Sequence, residues 1–153
     1  MTAICLLDAS VLCELLPVPG KSQAHDQVRA AFDDKKKQGH ELFLPFATLI
    51  ETGNHIGQVS DSRLRVQTAQ KFGGIVHDAI DASEPCQLFR IPDRNYLAKW
   101  LDALPSWVQV KGSGIGDLSI KIEWERLCRA NRKRRVYVWS LDEHLQGLDS
   151  VRR

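Results

Sequence analysis

Five apolar residues in a row, Ala3-Ile4-Cys5-Leu6-Leu7, end abruptly at Asp8. No polar residue alternates with them, so the run has no solvent face and suits a strand buried on both sides. Such a strand needs helices above and below it, and the chain supplies them in alternation. Val11 to Leu16 reads as a short helix stopped by Pro17, and Ser22 as the cap of a helix to about Gln38, with Gly39 after it. Leu42 to Leu44 reads as a strand and Ala47 to Ile56 as a helix. Asp61 or Ser62 starts another helix, interrupted at Gly73-Gly74 and resumed over Ile75 to Ile80. Gln87 to Ile91 is a strand, and Asp93 caps a helix through Leu104 that Pro105 ends. Trp107 to Val110 is strand-like and Gly112 to Gly116 a turn. Asp117 to Asn131 is a helix, Val136 to Trp139 a strand and Asp142 to Leu148 a closing helix. This order predicts an α/β fold of three layers, α/β/α, around a central, mostly parallel sheet of four to five strands. At 153 residues it reads as a single domain, 1–153.

Charge excludes some partners. The chain carries 21 Lys and Arg against 19 Asp and Glu, so it is no polycation holding nucleic acid by bulk charge. The balance is uneven, at −2 over residues 1–110 and +4 over 111–153. Most of the excess is Arg126, Arg129, Arg132, Lys133, Arg134 and Arg135, either a solvated helix end or a grip on phosphates, with Lys111 and Lys121 beside it. The four cysteines form no C-x-x-C pair and read as buried thiols. No stretch approaches the about 18 apolar residues of a membrane span, and the N-terminus lacks the basic start of a signal peptide. A cytoplasmic protein is expected.

Four acidic residues stand where a parallel sheet presents its ligand-binding edge. Asp8 follows the first strand and Asp142 comes shortly after the last; Glu51 and Asp117 lie on neighbouring helices. Taken singly, Asp8 and Asp142 are ordinary helix caps, Glu51 an exposed helix residue and Asp117 a first-turn acid. Gathered in one cleft they repel one another unless a cation is present, and carboxylate oxygens select Mg²⁺ or Mn²⁺.

The segment Ile4-Cys5-Leu6-Leu7-Asp8-Ala9-Ser10-Val11-Leu12 resembles the opening of a PIN domain. Leu44-Pro45-Phe46-Ala47-Thr48-Leu49-Ile50-Glu51 is similar to the second block of that family, Gly116-Asp117-Leu118-Ser119-Ile120 to the third, and Val136-Tyr137-Val138-Trp139-Ser140-Leu141-Asp142 to the fourth. Ser140 stands where the family more often has Thr, and the stretch before Asp117 is richer in glycine than usual. The resemblance implies a PIN-like fold and a metal-dependent endoribonuclease of the VapC-like toxin group. Asp8, Glu51, Asp117 and Asp142 would hold one or two Mg²⁺ or Mn²⁺ ions, with Ser10 and Ser140 orienting ligands. Hydrolysis would leave a 5′-phosphate and a 3′-hydroxyl. It also implies a homodimer and a cognate antitoxin.

Three other readings compete. A nucleotide-binding module would use Gly112-Ser113-Gly114-Ile115-Gly116, but the sixth place of the fingerprint is Asp117, which repels a pyrophosphate. A non-catalytic PIN-like scaffold would have lost one or more acids, and all four are present. A structure-specific DNA nuclease would need room for a helical arch. The five histidines read as surface residues, His144 being notable for its closeness to Asp142. The four tryptophans read as packing residues rather than base-stacking ones.

Overall fold

The computed structural model describes residues 2–152, leaving aside the side chains of Lys111 and Arg152. Strands β1 (Ile4–Leu7), β2 (Glu41–Leu44), β3 (Gln87–Leu88) and β4 (Val136–Trp139) form one sheet in the order β3-β2-β1-β4. Every pairing is parallel. Among the described residues, six α-helices flank it: α1 (Ala9–Leu15), α2 (His25–Lys37), α3 (Phe46–Gly57), α4 (Ser62–Ile80), α5 (Arg94–Lys111) and α6 (Ile115–Ala130). The fold is the expected three-layer, PIN-like α/β/α arrangement.

The unbroken apolar run of β1 explains its central place. Ala3, Cys5 and Leu7 pack with Val11, Leu12, Val28, Phe32 and Leu44 on one face of the sheet. Ile4 and Leu6 pack with Ile120, Trp124, Val136 and Val138 on the other. Alternate side chains thus feed two separate cores, which is why no polar residue is tolerated. Leu6 and Leu7 are fully buried, so Leu→Ala at either position costs about 2–5 kcal/mol. The chain passes from β1 to β2 and β3 on one side, then crosses to β4 on the other. The order therefore reverses between β1 and β4, and ligand sites of open α/β sheets form at that point, beyond the carboxyl ends.

Several elements differ from the sequence expectation. α5 runs through Pro105, and Trp107 to Val110 is helical. Buried Tyr96 and Trp100 before the proline and Trp107 after it anchor the helix on both sides of the lost hydrogen bond. The helix stops instead at Gly112, at φ 64° in the left-handed region. Gly73-Gly74 does not break α4, because Phe72 and Ile75 both pack on the core. α2 begins at His25 rather than after Ser22, since Glu14 Oε2 accepts the Ala24 N–H and sets the helix start there. α1 and α6 start two residues earlier than expected, at Ala9 and Ile115. β3 has two residues, and Phe89 beyond it turns edge-on to Phe43. The closing helix is absent. Leu148 accepts the Val138 N–H at 2.8 Å and Asp149 bridges Tyr137, so this segment covers the outer edge of β4 before a 3₁₀ turn at Ser150–Arg152.

Candidate metal centre

Asp8 sits where β1 stops. Its backbone N–H donates to Trp139 O at 3.0 Å, which ties the ends of β1 and β4 together. Its side chain caps α1, so the local-cap role and a place in the cleft hold at once. Oδ2 accepts from Ser10 Oγ at 2.7 Å and from Ser140 Oγ at 2.8 Å. Ser10 Oγ in turn accepts the Leu141 N–H and Ser140 Oγ the Asp142 N–H, both at 2.9 Å. Each hydroxyl thus receives a backbone donor and spends its one proton on Asp8, which holds the carboxylate in a single orientation. The other oxygen is different. Asp8 is 3% exposed, and its Oδ1 is buried without a partner. An enclosed carboxylate oxygen with no donor is costly, and a bound cation removes that cost.

Two helices bring the next acids. Thr48 Oγ1 donates to Leu7 O at 2.7 Å and lashes the first turn of α3 to the end of β1, so Glu51, three residues on, is carried to the cleft. Asp117 lies in the first turn of α6, steadied by Ser119 Oγ donating to Gly116 O at 2.7 Å. Asp8, Glu51 and Asp117 each offer an oxygen within 4.8 Å of the others. Asp142 is not among these three. Its Oδ1 accepts the His144 N–H at 2.9 Å, while its charge still acts on Glu51 and Asp117. Burial, then the charges of Asp8, Asp117 and Asp142, push Glu51 up to about 7. Burial, Asp142 and Asp8 likewise raise Asp117. Three crowded carboxylates and one orphaned oxygen form a donor set that fits a hard divalent cation.

The motif reading passes over further residues. A cavity of about 290 Å³ beside Asp8, Glu51 and Asp142 is also lined by Glu14, Lys21 and His55. His55 Nε2 lies 3.8 Å from Glu51 Oε1. The spacing i, i+4 on one helix was the available signal. The histidines are also less exposed than expected. His25 bonds Glu14 O, His40 bonds the Tyr137 hydroxyl, and of the five only His77 is exposed.

The basic run lies elsewhere. α6 carries Asp117 at its start and Arg129 at its end, about 18 Å away at 1.5 Å per residue, and Arg132 to Arg135 precede β4 at the amino edge of the sheet. Arg126 bonds Glu123 and lies over Phe89 and Tyr96. Arg134 bonds Thr2 and Glu41, and Arg135 bonds Asp149. Arg129, Arg132 and Lys133 are exposed. Lys121 pairs with Glu125 and covers Trp107; the side chain of Lys111 lies outside the described residues. Trp100, Trp107 and Trp124 are buried, and Lys35 lies over Trp139. All four cysteines are buried and none is in a disulfide; burial pushes the Cys5 and Cys86 thiols up to about 12 and Cys13 to about 11. Among the described residues, no helix is long and apolar enough to cross a membrane.

No family model matches the chain, and no curated protein matches it in sequence. Among solved structures, the fold is similar to the crystal structure of FitAcB from Neisseria gonorrhoeae, at 15% identity and a TM-score of 0.50, over 94% of this chain and 91% of that one. At that identity the likeness is one of fold.

Proposed function

We propose that the chain is a metal-dependent endoribonuclease. The observation that carries this reading is the buried, unpartnered Oδ1 of Asp8 beside Glu51 and Asp117. These three residues would hold Mg²⁺ or Mn²⁺, and Asp142 would join at the margin. A bound cation supplies charge neutralisation at the phosphodiester and a water made more acidic. Ser10 and Ser140 fix the Asp8 carboxylate so that Oδ1 is the oxygen presented. Lys21, in the adjoining cavity, offers positive charge to a phosphate drawn toward an acidic cleft, and His55 lines the same cavity.

RNA as substrate follows from the sequence resemblance. So do the role of toxin in a type II toxin–antitoxin pair, an antitoxin partner and a homodimer; the proposed cytoplasmic location and single domain over 1–153 rest instead on hydropathy and length. Of the basic run, Arg129, Arg132 and Lys133 are the proposed phosphate contacts, because Arg126, Arg134 and Arg135 already hold protein partners.

The test is cleavage of single-stranded RNA with and without chelator. EDTA abolishes it and Mn²⁺ or Mg²⁺ restores it. Asp8→Asn lowers kcat/KM by about 10³-fold, several kcal/mol of lost transition-state stabilisation, while the melting temperature holds or rises as like charges are relieved. Asp8→Asn cleaving at the wild-type rate would overturn the mechanism.

A further inference from the structure

Glu51 forms part of the wall between two unlike cavities. The one with Asp8 and Asp142 contains Lys21 and His55 and is polar. The other, about 500 Å³, lies between α3, α5 and the start of α6, with Glu51 and Asp117 on its rim. Its walls are Phe46, Ile50, Leu97, Trp100 and Ile115. Among the described residues, no Lys, Arg or His lines it. Beyond that acidic rim a phosphate would meet no cationic side chain among the described residues, so the apolar depth of this space does not take the backbone of a nucleic acid. It suits a neutral, flat, largely apolar group with polar edges, in a volume typical of small-ligand pockets.

We propose that this cavity seats one unpaired nucleobase next to the scissile phosphate, and that Asn54 reads its edge. The proposal rests on the nuclease reading for its context. Asn54 lies one turn beyond Ile50 on α3 and three residues after Glu51, so the reader and the acid share a helix face. Its amide carries donors and an acceptor, the pattern needed to bond a base edge. Trp100 supplies the second observation. It is 7% exposed within the cavity wall, and its indole Nε1 has no hydrogen-bond partner. The Nε1 is enclosed in the free chain, and a small shift of the indole on binding would bring it to a base carbonyl, the acceptor the protein does not supply. The cavity is kept open by glycine: a Cβ at Gly114 would meet nothing within 4 Å, and one at Gly116 would touch only Ala47 at 3.9 Å. The phosphate and its cations then lie on one side of Glu51 and the base on the other, which orients a strand across the acids.

Two variants probe the seat without touching the acids. Asn54→Leu removes the reader, and Gly114→Val fills open space at a φ of −88° that any residue adopts. The first measurement is tryptophan fluorescence of the metal-free protein titrated with a single-stranded RNA nonamer and with the same backbone lacking bases. The wild type binds the RNA more tightly than the abasic strand. Both variants lose about tenfold in RNA affinity, the scale of one stacked base, and leave abasic binding unchanged. The second is cleavage of a random-sequence RNA pool with Mn²⁺, with product ends sequenced. The wild type prefers certain bases at one position beside the cut, and Asn54→Leu relaxes that position alone.

Equal RNA affinity in wild type and variants overturns the base seat. So does an unchanged preference at every position, and in that case cleavage that persists leaves the nuclease reading standing. Base-dependent binding with no metal-restored cleavage does the reverse: the seat stands and the nuclease reading falls. Ile50→Asp converting a dimer to a monomer in sedimentation, with base preference intact, makes this face a contact between copies and also overturns the proposal.

Discussion

The two edges of the sheet carry opposite charge and treat it in opposite ways. At the amino edge, Arg134 bonds Thr2 and Glu41 and Arg135 grips Asp149 at 2.7 Å. At the carboxyl edge, Asp8, Glu51 and Asp117 each offer an oxygen within 4.8 Å of the others, and among the described residues no Lys or Arg forms an ion pair with them. Basic residues that already have acidic partners behave as fasteners. Acids arranged against one another, one with an enclosed lone oxygen, are unstable as they stand and make sense with a cation. Charge counted along the chain suggests the reverse emphasis, since the basic run is the more conspicuous in sequence. Partners, not density, separate a structural charge from a functional one.

The sharpest way to break this contrast is to loosen the carboxyl edge without removing an acid. Ser10→Ala and Ser140→Ala each take one proton from Asp8 Oδ2 and leave every carboxylate in place. Each should lower Mn²⁺ affinity and RNA cleavage by about 10–100-fold, the usual scale for groups that orient a metal ligand. The double variant should lose less than the product of the two, because both hydroxyls fix one carboxylate. Calorimetric Mn²⁺ titration and kcat/KM together check this. Wild-type affinity in the double variant would mean that Asp8 needs no such support.

That contrast also sets what the sequence could disclose. β1 was legible because an unbroken apolar run has only one comfortable environment, and Asp8 was legible because it ends that run. Thr48 was not: its bond to Leu7 O depends on α3 crossing the end of β1, a tertiary event. Pro105 misled because local propensity ignores the buried Tyr96, Trp100 and Trp107 that hold α5 through it. The tail after Asp142 misled because Leu148 and Asp149 gain more by pairing with β4 than by closing a helix. His55 stands one helical turn from Glu51, a spacing visible in the sequence, but its place beside the acids depends on where α3 meets the sheet. Asp142 shows the limit of motifs: it is near enough to raise its neighbours, yet outside the trio.

Smaller effects should distinguish the two kinds of arginine at the amino edge. Arg135→Ala breaks the pair with Asp149 and uncovers Tyr137, and should cost about 1 kcal/mol in urea unfolding, the modest value of a pair open to solvent on one side. It should leave the salt dependence of RNA binding unchanged. Arg132→Ala or Lys133→Ala should do the opposite, with stability unaltered and the slope of log affinity against log salt reduced by about 1 each. A slope unchanged at Arg132 and Lys133 would make the whole run a solvated helix end.

The least of the expected effects concerns the carboxyl edge without its ion. The Glu51 carboxyl, lifted to about 7 by burial and by its acidic neighbours, keeps its proton in the folded chain over a range where the unfolded chain has already lost it. The folded state therefore binds more protons between the ordinary glutamate value and about 7, and the contribution of this group to stability falls as pH rises through that window. In EDTA, the melting temperature of Glu51→Gln should exceed that of the wild type at pH 8, and the gap should narrow toward pH 5. Saturating Mn²⁺ should reverse the order at pH 8, because the ion favours the ionised wild-type carboxylate. A gap in EDTA that does not depend on pH would show that crowding among the acids is not what Glu51 reports. The carboxyl edge would then be no more strained than the paired amino edge.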